Sequence, residues 1–217
     1  MNRLAACIVI SSGVIMNGCF GPSINGSGHV TTENRNVGGG FSSVSLGGSG
    51  RLLIEQGPSE SVTVTADDNL LSYVETEVHG GTLVLRQKSN FSLSPTGEIV
   101  FKVTLKKLDD LDISGSGTAE AKGIQNSRLK IGISGSGEAT FAGAADDLDV
   151  TISGSGRFHG EGLKSKRTSV DISGSGGAVV ASSETLNATV SGSGSIDYIG
   201  DPKVRQNISG SGSVQRR

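Results

Sequence analysis

Four kinds of residue in this chain could take part in chemistry, and the most conspicuous is a hydroxyl-glycine motif. Ser-Gly-Ser-Gly occurs unaltered at Ser114–Gly117, Ser134–Gly137, Ser153–Gly156, Ser173–Gly176, Ser191–Gly194 and Ser209–Gly212. Glycine-rich runs can cradle phosphate, but a phosphate loop needs Gly-x-x-x-x-Gly-Lys-Ser/Thr ahead of a helix, and no copy has that lysine. Calcium-binding nonapeptide repeats carry an aspartate inside each glycine run, which is absent here. Asp112 and Asp171 come just before the motif, but Gly132, Thr151, Thr189 and Asn207 fill the same position in other copies, so no calcium ladder is expected.

Carboxylate pairs and histidines are the next candidates. Asp67-Asp68, Asp109-Asp110 and Asp146-Asp147 all adjoin expected turns, where aspartate is favoured because it bonds the local backbone. His29, His79 and His159 are far apart in sequence, and His159 shares an outward column with Glu120, Thr140, Val179 and Asp197. Polysaccharide lyases and hydrolases built on parallel β-helices need acids, bases or metal ligands clustered on one face. The sequence assembles no such cluster, so no catalytic residue, metal site or cofactor is expected and a non-enzymatic protein is the reading. A polysaccharide-active enzyme is the alternative.

Cysteine supplies the fourth candidate. Arg3 precedes an apolar run from Leu4 to Met16, which has the length of a secretory leader and is short for a membrane span. Met16-Asn17-Gly18-Cys19 then resembles a bacterial lipobox, with Gly18 and Cys19 fitting and Met16 and Asn17 departing from the usual aliphatic and small residues. Cys7 lies inside the leader, so the mature chain would keep Cys19 alone, with no thiol left for a disulfide or a metal. The expected layout is a lipoprotein signal peptide at 1–18, a lipidated Cys19 opening a tether at 19–23, and a folded domain at 24–217. Phe20, where an aspartate would signal retention, points to the outer membrane. The membrane is then a partner through the lipid anchor.

These residues must be positioned by something regular. The six motifs start 20, 19, 20, 18 and 18 residues apart, the mark of one supersecondary unit stacked on itself. The residue before each motif is Ile113, Ile133, Ile152, Ile172, Val190 and Ile208, and two places earlier stand Leu111, Ile131, Val150, Val170, Ala188 and Gln206. Beyond the motif, Ala119, Ala139, Phe158, Ala178, Ile196 and Val214 share one column. Polar residues alternate with these, which is a strand with one buried face. A right-handed parallel β-helix with rungs of about 18–20 residues follows, because stacked copies bury what one copy cannot.

Within that coil the motif is a corner or a pinch. Either both glycines face inward where the coil is narrow, or the chain bends through angles closed to other residues. The serines would then form outward hydroxyl ladders. Ile24–Val30 and Leu46–Gly50 read as degenerate copies, and 106–217 as the six regular rungs. Residues 61–105 break the period: Val62 and Val64, Val74–Val78, Leu83–Leu85 and Ile99–Leu105 read as antiparallel strands inserted as a cap, with a hairpin at Gly80-Gly81 and an exposed loop from Lys88 to Glu98.

The net charge of −2, with both signs scattered, leaves no basic stripe, so nucleic acid is not expected as a partner. Arg35-x-Val37, Phe41-x-x-Val44, Leu52-x-Ile54-x-Gln56-Gly57, Ala66-Asp67-Asp68-Asn69-Leu70-Leu71, Val74–Val78, Gly81-x-Leu83 and the serial Ile-Ser-Gly-Ser-Gly together resemble the putative auto-transporter adhesin head GIN domain family over residues 24–217. The resemblance implies a β-helical protein of the bacterial envelope, secreted or lipid-anchored, with adhesion as the family's label. The hydroxyl ladders and exposed columns such as Glu138, Arg157 and His159 make a binding module for a glycan or envelope protein the expectation. An envelope scaffold assembling end to end is a further alternative. Changing Cys19→Ser is expected to move the protein from the membrane to the soluble fraction, because acyl chains contribute about 0.8 kcal/mol per buried methylene; unchanged fractionation would refute the lipobox.

Overall fold

The computed structural model describes residues 22–217, so the signal peptide expected at 1–18 and the candidate lipidation site Cys19 lie outside the described residues. Its chain is almost entirely strand, with one 3-10 turn at Leu71–Tyr73 among the described residues. The fold is a parallel β-solenoid. β1 (Ser23–Asn25) and β2 (Val30–Arg35) lead into β3 (Ser43–Gly48) and β4 (Arg51–Gln56), which form the first rung in sequence. β5 (Ser61–Asp67), β6 (Val74–His79), β7 (Thr82–Gln87), β8 (Ser92–Ser94) and β9 (Val100–Leu105) follow. The regular rungs are β10 (Asp110–Gly115), β11 (Thr118–Gly135), β12 (Glu138–Gly154), β13 (Arg157–Gly174), β14 (Gly177–Gly192), β15 (Ser195–Ile199), β16 (Lys203–Gly210) and β17 (Ser213–Arg216).

Each rung has three sides. A first face ends in the motif, a second follows it, and a short third face returns the chain to the next rung. The faces are in register from rung to rung: Ile113 pairs with Ile133, Ile133 with Ile152, Ile152 with Ile172, and Ile172 with Val190. The inward columns are sealed, with Leu111, Ile133, Ile152, Phe158 and Val190 all buried. Such burial stabilises by roughly 1.5–3 kcal/mol per large side chain. The differing rung lengths are absorbed at corners: register slips between Ala121 and Ile124, Thr140 and Ala142, and Gly160 and Lys164, while the motif columns stay aligned.

Both readings of the motif glycines hold, one for each glycine. The first is the bend: Gly115, Gly135, Gly154, Gly174, Gly192 and Gly210 have φ between 112° and 122°, which disfavours any side chain. The second is the pinch. A Cβ on Gly137, Gly156, Gly176 or Gly194 would fall 2.5–2.7 Å from the Cγ2 of Ile113, Ile133, Ile152 or Ile172, the β-branched residue of the preceding rung. The corner backbone stays paired, since Ser136, Ser155, Ser175 and Ser193 donate their amides to glycine carbonyls one rung back at 2.8–2.9 Å.

Hydroxyl bonding is found elsewhere than expected. The motif serines point outward, and backbone amides join their corners. At the third corner, Ser165 and Ser182 are buried in one register column with Asn126 and Ala145. Ser165 Oγ donates to the Ala181 carbonyl at 2.8 Å and Ser182 Oγ to that of Thr185 at 2.9 Å, so these inward hydroxyls satisfy carbonyls the turn would leave bare.

The inserted section is partly solenoid. β6 and β7 form the expected hairpin, with Gly80 and Gly81 both at positive φ, and β5 runs antiparallel to β2 and β9. But β7 pairs in parallel with β3, and β9 with β4. Residues 82–105 therefore complete a rung on the far side of β3 and β4, while β10 and β11 pack on the near side. The cap proper is β6 on one face and β5 with β2 on another. Leu46–Gly50 is a true rung, as read. Ile24–Val30 is not: β1 pairs with β8 outside the main sheet.

The two glycines of a motif should tolerate no side chain, whereas its serines should. Gly154→Ala forces an unfavourable φ, costing about 1–2 kcal/mol before any clash, and Gly156→Ala displaces Ile133. Ser155→Ala is expected to stay within about 0.5 kcal/mol of wild type, as exposed substitutions do. Denaturant unfolding of the three variants checks this, and an equal loss for Ser155→Ala would contradict the corner assignment.

Candidate ligand-contact surface

The outward positions of the first face are set by the alternation that buries its core columns. They stack as Asp110, Lys130, Asp149, Ser169 and Asn187 beside Asp112, Gly132, Thr151, Asp171 and Thr189. Gly132 leaves a gap in the second column, and the Asp112 carboxylate leans across it, where a Cβ at residue 132 would collide with Asp112 Oδ1. The result is a shallow trough of about 440 Å³ with Asp110, Asp112, Lys130, Asp149 and Asp171 along its walls. Successive rungs are about 4.8 Å apart, so the trough offers a carboxylate, amine or hydroxyl at regular intervals along the coil axis. The Asp110 carboxyl is pushed above its usual range by partial burial and then by repulsion from Asp112, with Lys130 opposing.

The other candidate residues are in different places. His159 stands on the second face in the column read from sequence, between Thr140 and Val179. Its Nε2 lies 3.0 Å from Glu138, and its Nδ1 is 3.8 Å from Glu161. Arg217 reaches Glu161 and Asp197 at 3.5 Å each, so His159 belongs to a surface ion network whose exposed pairs contribute about 0–1 kcal/mol apiece. His79 sits against Glu77 at 2.8 Å, and His29 is on a turn beside Ser27. The three histidines do not converge. Among the described residues, no three His, Cys, Asp or Glu side chains are grouped so as to hold one metal ion.

The aspartate pairs bond locally. Asp146 and Asp147 face the next rung, where Lys166 Nζ approaches Asp146 at 2.7 Å and Arg167 grips Asp147 with two bonds of 2.6 and 2.9 Å. These bonds hold the Asp147 carboxyl below its usual range. Asp109 pairs with Lys107 at 2.6 Å. Asp67, Asp68 and Asn69 together form a clasp. Asp67 is buried at 1% exposure and accepts from Gly28 N (2.8 Å), Thr96 N (2.9 Å) and Thr96 Oγ1 (2.6 Å). Asp68 accepts from Ser27 Oγ, while Asn69 accepts from Ser27 N at 3.0 Å and donates to the Asn25 carbonyl at 2.8 Å. The Asp-Asp-Asn sequence thus ties the N-terminal segment and the 92–97 loop to the cap. Its partners lie about 30–40 residues away, so no local pattern marks them.

Structurally this is a β-solenoid with a polar, grooved sheet face and a strand cap. The chain belongs to the family described as putative auto-transporter adhesin, head GIN domain, whose model matches residues 40–202. It is similar to the crystal structure of a putative lipid binding protein from Parabacteroides distasonis ATCC 8503, at 25% identity and a TM-score of 0.61, covering 90% of this chain and 99% of that one. A putative adhesin from the same strain is also 25% identical, with a TM-score of 0.59 and coverage of 90% and 100%. A putative adhesin from Bacteroides fragilis NCTC 9343 shares the fold at a TM-score of 0.75 and 19% identity, covering 89% and 100%. No curated protein matches the chain. These relatives are named as adhesins or lipid-binding proteins, not as enzymes, and they indicate a cell-surface or envelope setting.

The Thr96 hydroxyl, then the Thr96 and Gly28 amides, lower the Asp67 pKa against the opposing effect of burial. A folded-state pKa below the unfolded value of about 3.9 means that Asp67 adds stability above that value and loses it as pH falls through the folded one. Asp67→Asn should therefore lower the melting temperature clearly at pH 7 and by much less near pH 2. Parallel melting curves at the two pH values check it; an undiminished gap in acid would show that the carboxylate charge is not what the clasp uses.

Proposed function

We propose that this chain is a non-enzymatic, lipid-anchored protein of the bacterial outer membrane that uses the trough on its first face to bind a glycan. The trough carries the reading. Its carboxylates, single amine and hydroxyls alternate at the rung spacing, on a sheet whose position is fixed by a sealed core. A chain of linked sugars laid along the coil axis would meet such groups repeatedly, so that weak hydrogen bonds add up. The relatives named as adhesins support this, as does the lipobox resemblance at Cys19. Adhesion here means contact through a preformed surface, with no bond made or broken.

A glycan array probed with the mature protein is expected to give a discrete set of binders. Asp112→Asn together with Asp171→Asn should weaken them about tenfold or more, since each lost charged hydrogen bond costs roughly 1.5–3 kcal/mol, while the melting temperature stays put. Binding that survives both changes would remove the trough from the mechanism. Turnover of uronic-acid polymers that depends on His159 would replace the binding reading with the enzymatic one.

A further inference from the structure

β1 begins four residues after Cys19, and its pairing fixes where the chain emerges. Ser23 is in register with Ser92, and Ser92 N donates to the Pro22 carbonyl at 3.2 Å, so Pro22 lies level with Phe91, just past the Ser89–Asn90 turn of the 88–94 segment. Gly26 N bonds the Ser94 carbonyl at 2.9 Å, and the Asp67–Asn69 clasp locks the next turn. Two residues, Phe20 and Gly21, separate Cys19 from Pro22, and the three steps between them reach about 11 Å at full extension. The polar layer of a bilayer is roughly 5–8 Å deep on each side. A cap tied this close to an acylated Cys19 cannot stand clear of the headgroups.

The loop has the composition for that position. Phe41, Phe101, Phe141 and Phe158 are buried, and of the described aromatic rings only Tyr73, Phe91 and Tyr198 reach the surface. Tyr73 and Phe91 pack edge to face, with centroids 4.7 Å apart, while Leu93, two residues on, is partly buried against the core. Lys88 is exposed and its amide donates to the Tyr73 carbonyl at 2.9 Å, which holds the loop against the 3-10 turn. Arg86, the nearest other cation in sequence, is paired with Glu75 at 2.7 Å. Aromatic rings with a lysine beside them suit a membrane interface, where one end of the group is apolar and the other wet.

We infer that the 88–94 loop, with Tyr73, Phe91 and Lys88, is a membrane-contact surface that seats the cap on the lipid headgroups and directs the regular rungs away from the bilayer. The inference rests on the lipid-anchor reading above. It sets the orientation of the trough, whose rungs then rise from the membrane along the coil axis.

The test uses the full chain, processed in cells and reconstituted in phosphatidylethanolamine–phosphatidylglycerol vesicles that carry a phospholipid with a spin label near its headgroup. Cys7 and Cys19 are the only cysteines, so Asn90→Cys and Ser213→Cys each give one free thiol for a fluorophore. The spin label is expected to quench most of the emission at position 90 and to leave position 213 unchanged. Adding Phe91→Ser and Lys88→Glu should weaken the quenching at position 90 about twofold or more with the protein still in the vesicle fraction, because the short tether keeps the cap near the headgroups while the loop no longer seats on them. Quenching unchanged by both substitutions overturns the contact. Equal quenching at both positions, quenching at 213 alone, or none at 90 overturns the inference while leaving the anchor intact. Mass spectrometry showing no acyl group on Cys19 overturns both.

Discussion

The structure depends on how one rung seats on the next at the motif corner. The inward glycine of each Ser-Gly-Ser-Gly leaves room for the apolar side chain one rung back, Leu46 for the first motif and a β-branched residue for the other five, and the glycine two places before it turns the chain at positive φ. Neither works alone. Without the bend the second face could not close over the first, and without the pinch the Ile113–Ile133–Ile152–Ile172 column would be pushed apart. Because corner amides also bond carbonyls of the preceding rung, the coil turns without leaving buried polar backbone unpaired. The serines are what is left over. They face solvent, where a small polar residue meets no steric limit, and their repetition follows from that of the glycines they separate.

The sequence revealed what repeats and concealed what occurs once. The inward columns, the outward position of His159, the rung at Leu46–Gly50 and the hairpin at Gly80-Gly81 could be read because each is written in a local period or turn signal. The place of β7 and β9 could not. Leu83 and Leu85 alternate as any strand does, and only pairing with β3 shows that they extend the parallel core instead of standing apart from it. The clasp was hidden for the same reason: Asp67-Asp68 reads as a turn pair, while its partners Ser27, Gly28 and Thr96 come from segments with no pattern of their own. Ser165 and Ser182 sit in an inward column that a polar residue would not be expected to enter, and only the carbonyls they meet there explain them. The trough shows the limit most clearly, because Gly132 looks like a lapse in a column and becomes a groove only when Asp112 and Thr151 are its neighbours above and below.

A fixed interior also explains where function can reside. Inward positions of the regular rungs are apolar apart from Ser165, Thr168 and Ser182, so charged residues fall on the outward columns, where Asp, Lys, Thr, Ser and Asn follow one another. A surface of this kind can be changed one rung at a time. Fold and ligand are then nearly independent, which is why a shared fold at 19% identity with a Bacteroides fragilis structure carries architecture and no ligand.

The order of the rungs joins these arguments. The rung made by β3 and β4 comes first in sequence but lies inside the stack, covered by residues 82–105 on one side and 110–122 on the other. The chain must go outward to build the cap before it returns to start the regular rungs. That detour brings the Asp67 clasp and the 88–94 loop to the same end as the N-terminal segment, where β1 can pair with β8. A solenoid wound simply from first rung to last would place its N-terminus on an uncapped edge. Here the inverted order covers that edge and fixes the N-terminal segment at the end opposite β16 and β17. The cap is therefore both the closure of the sheet and the place where the N-terminal segment joins the coil.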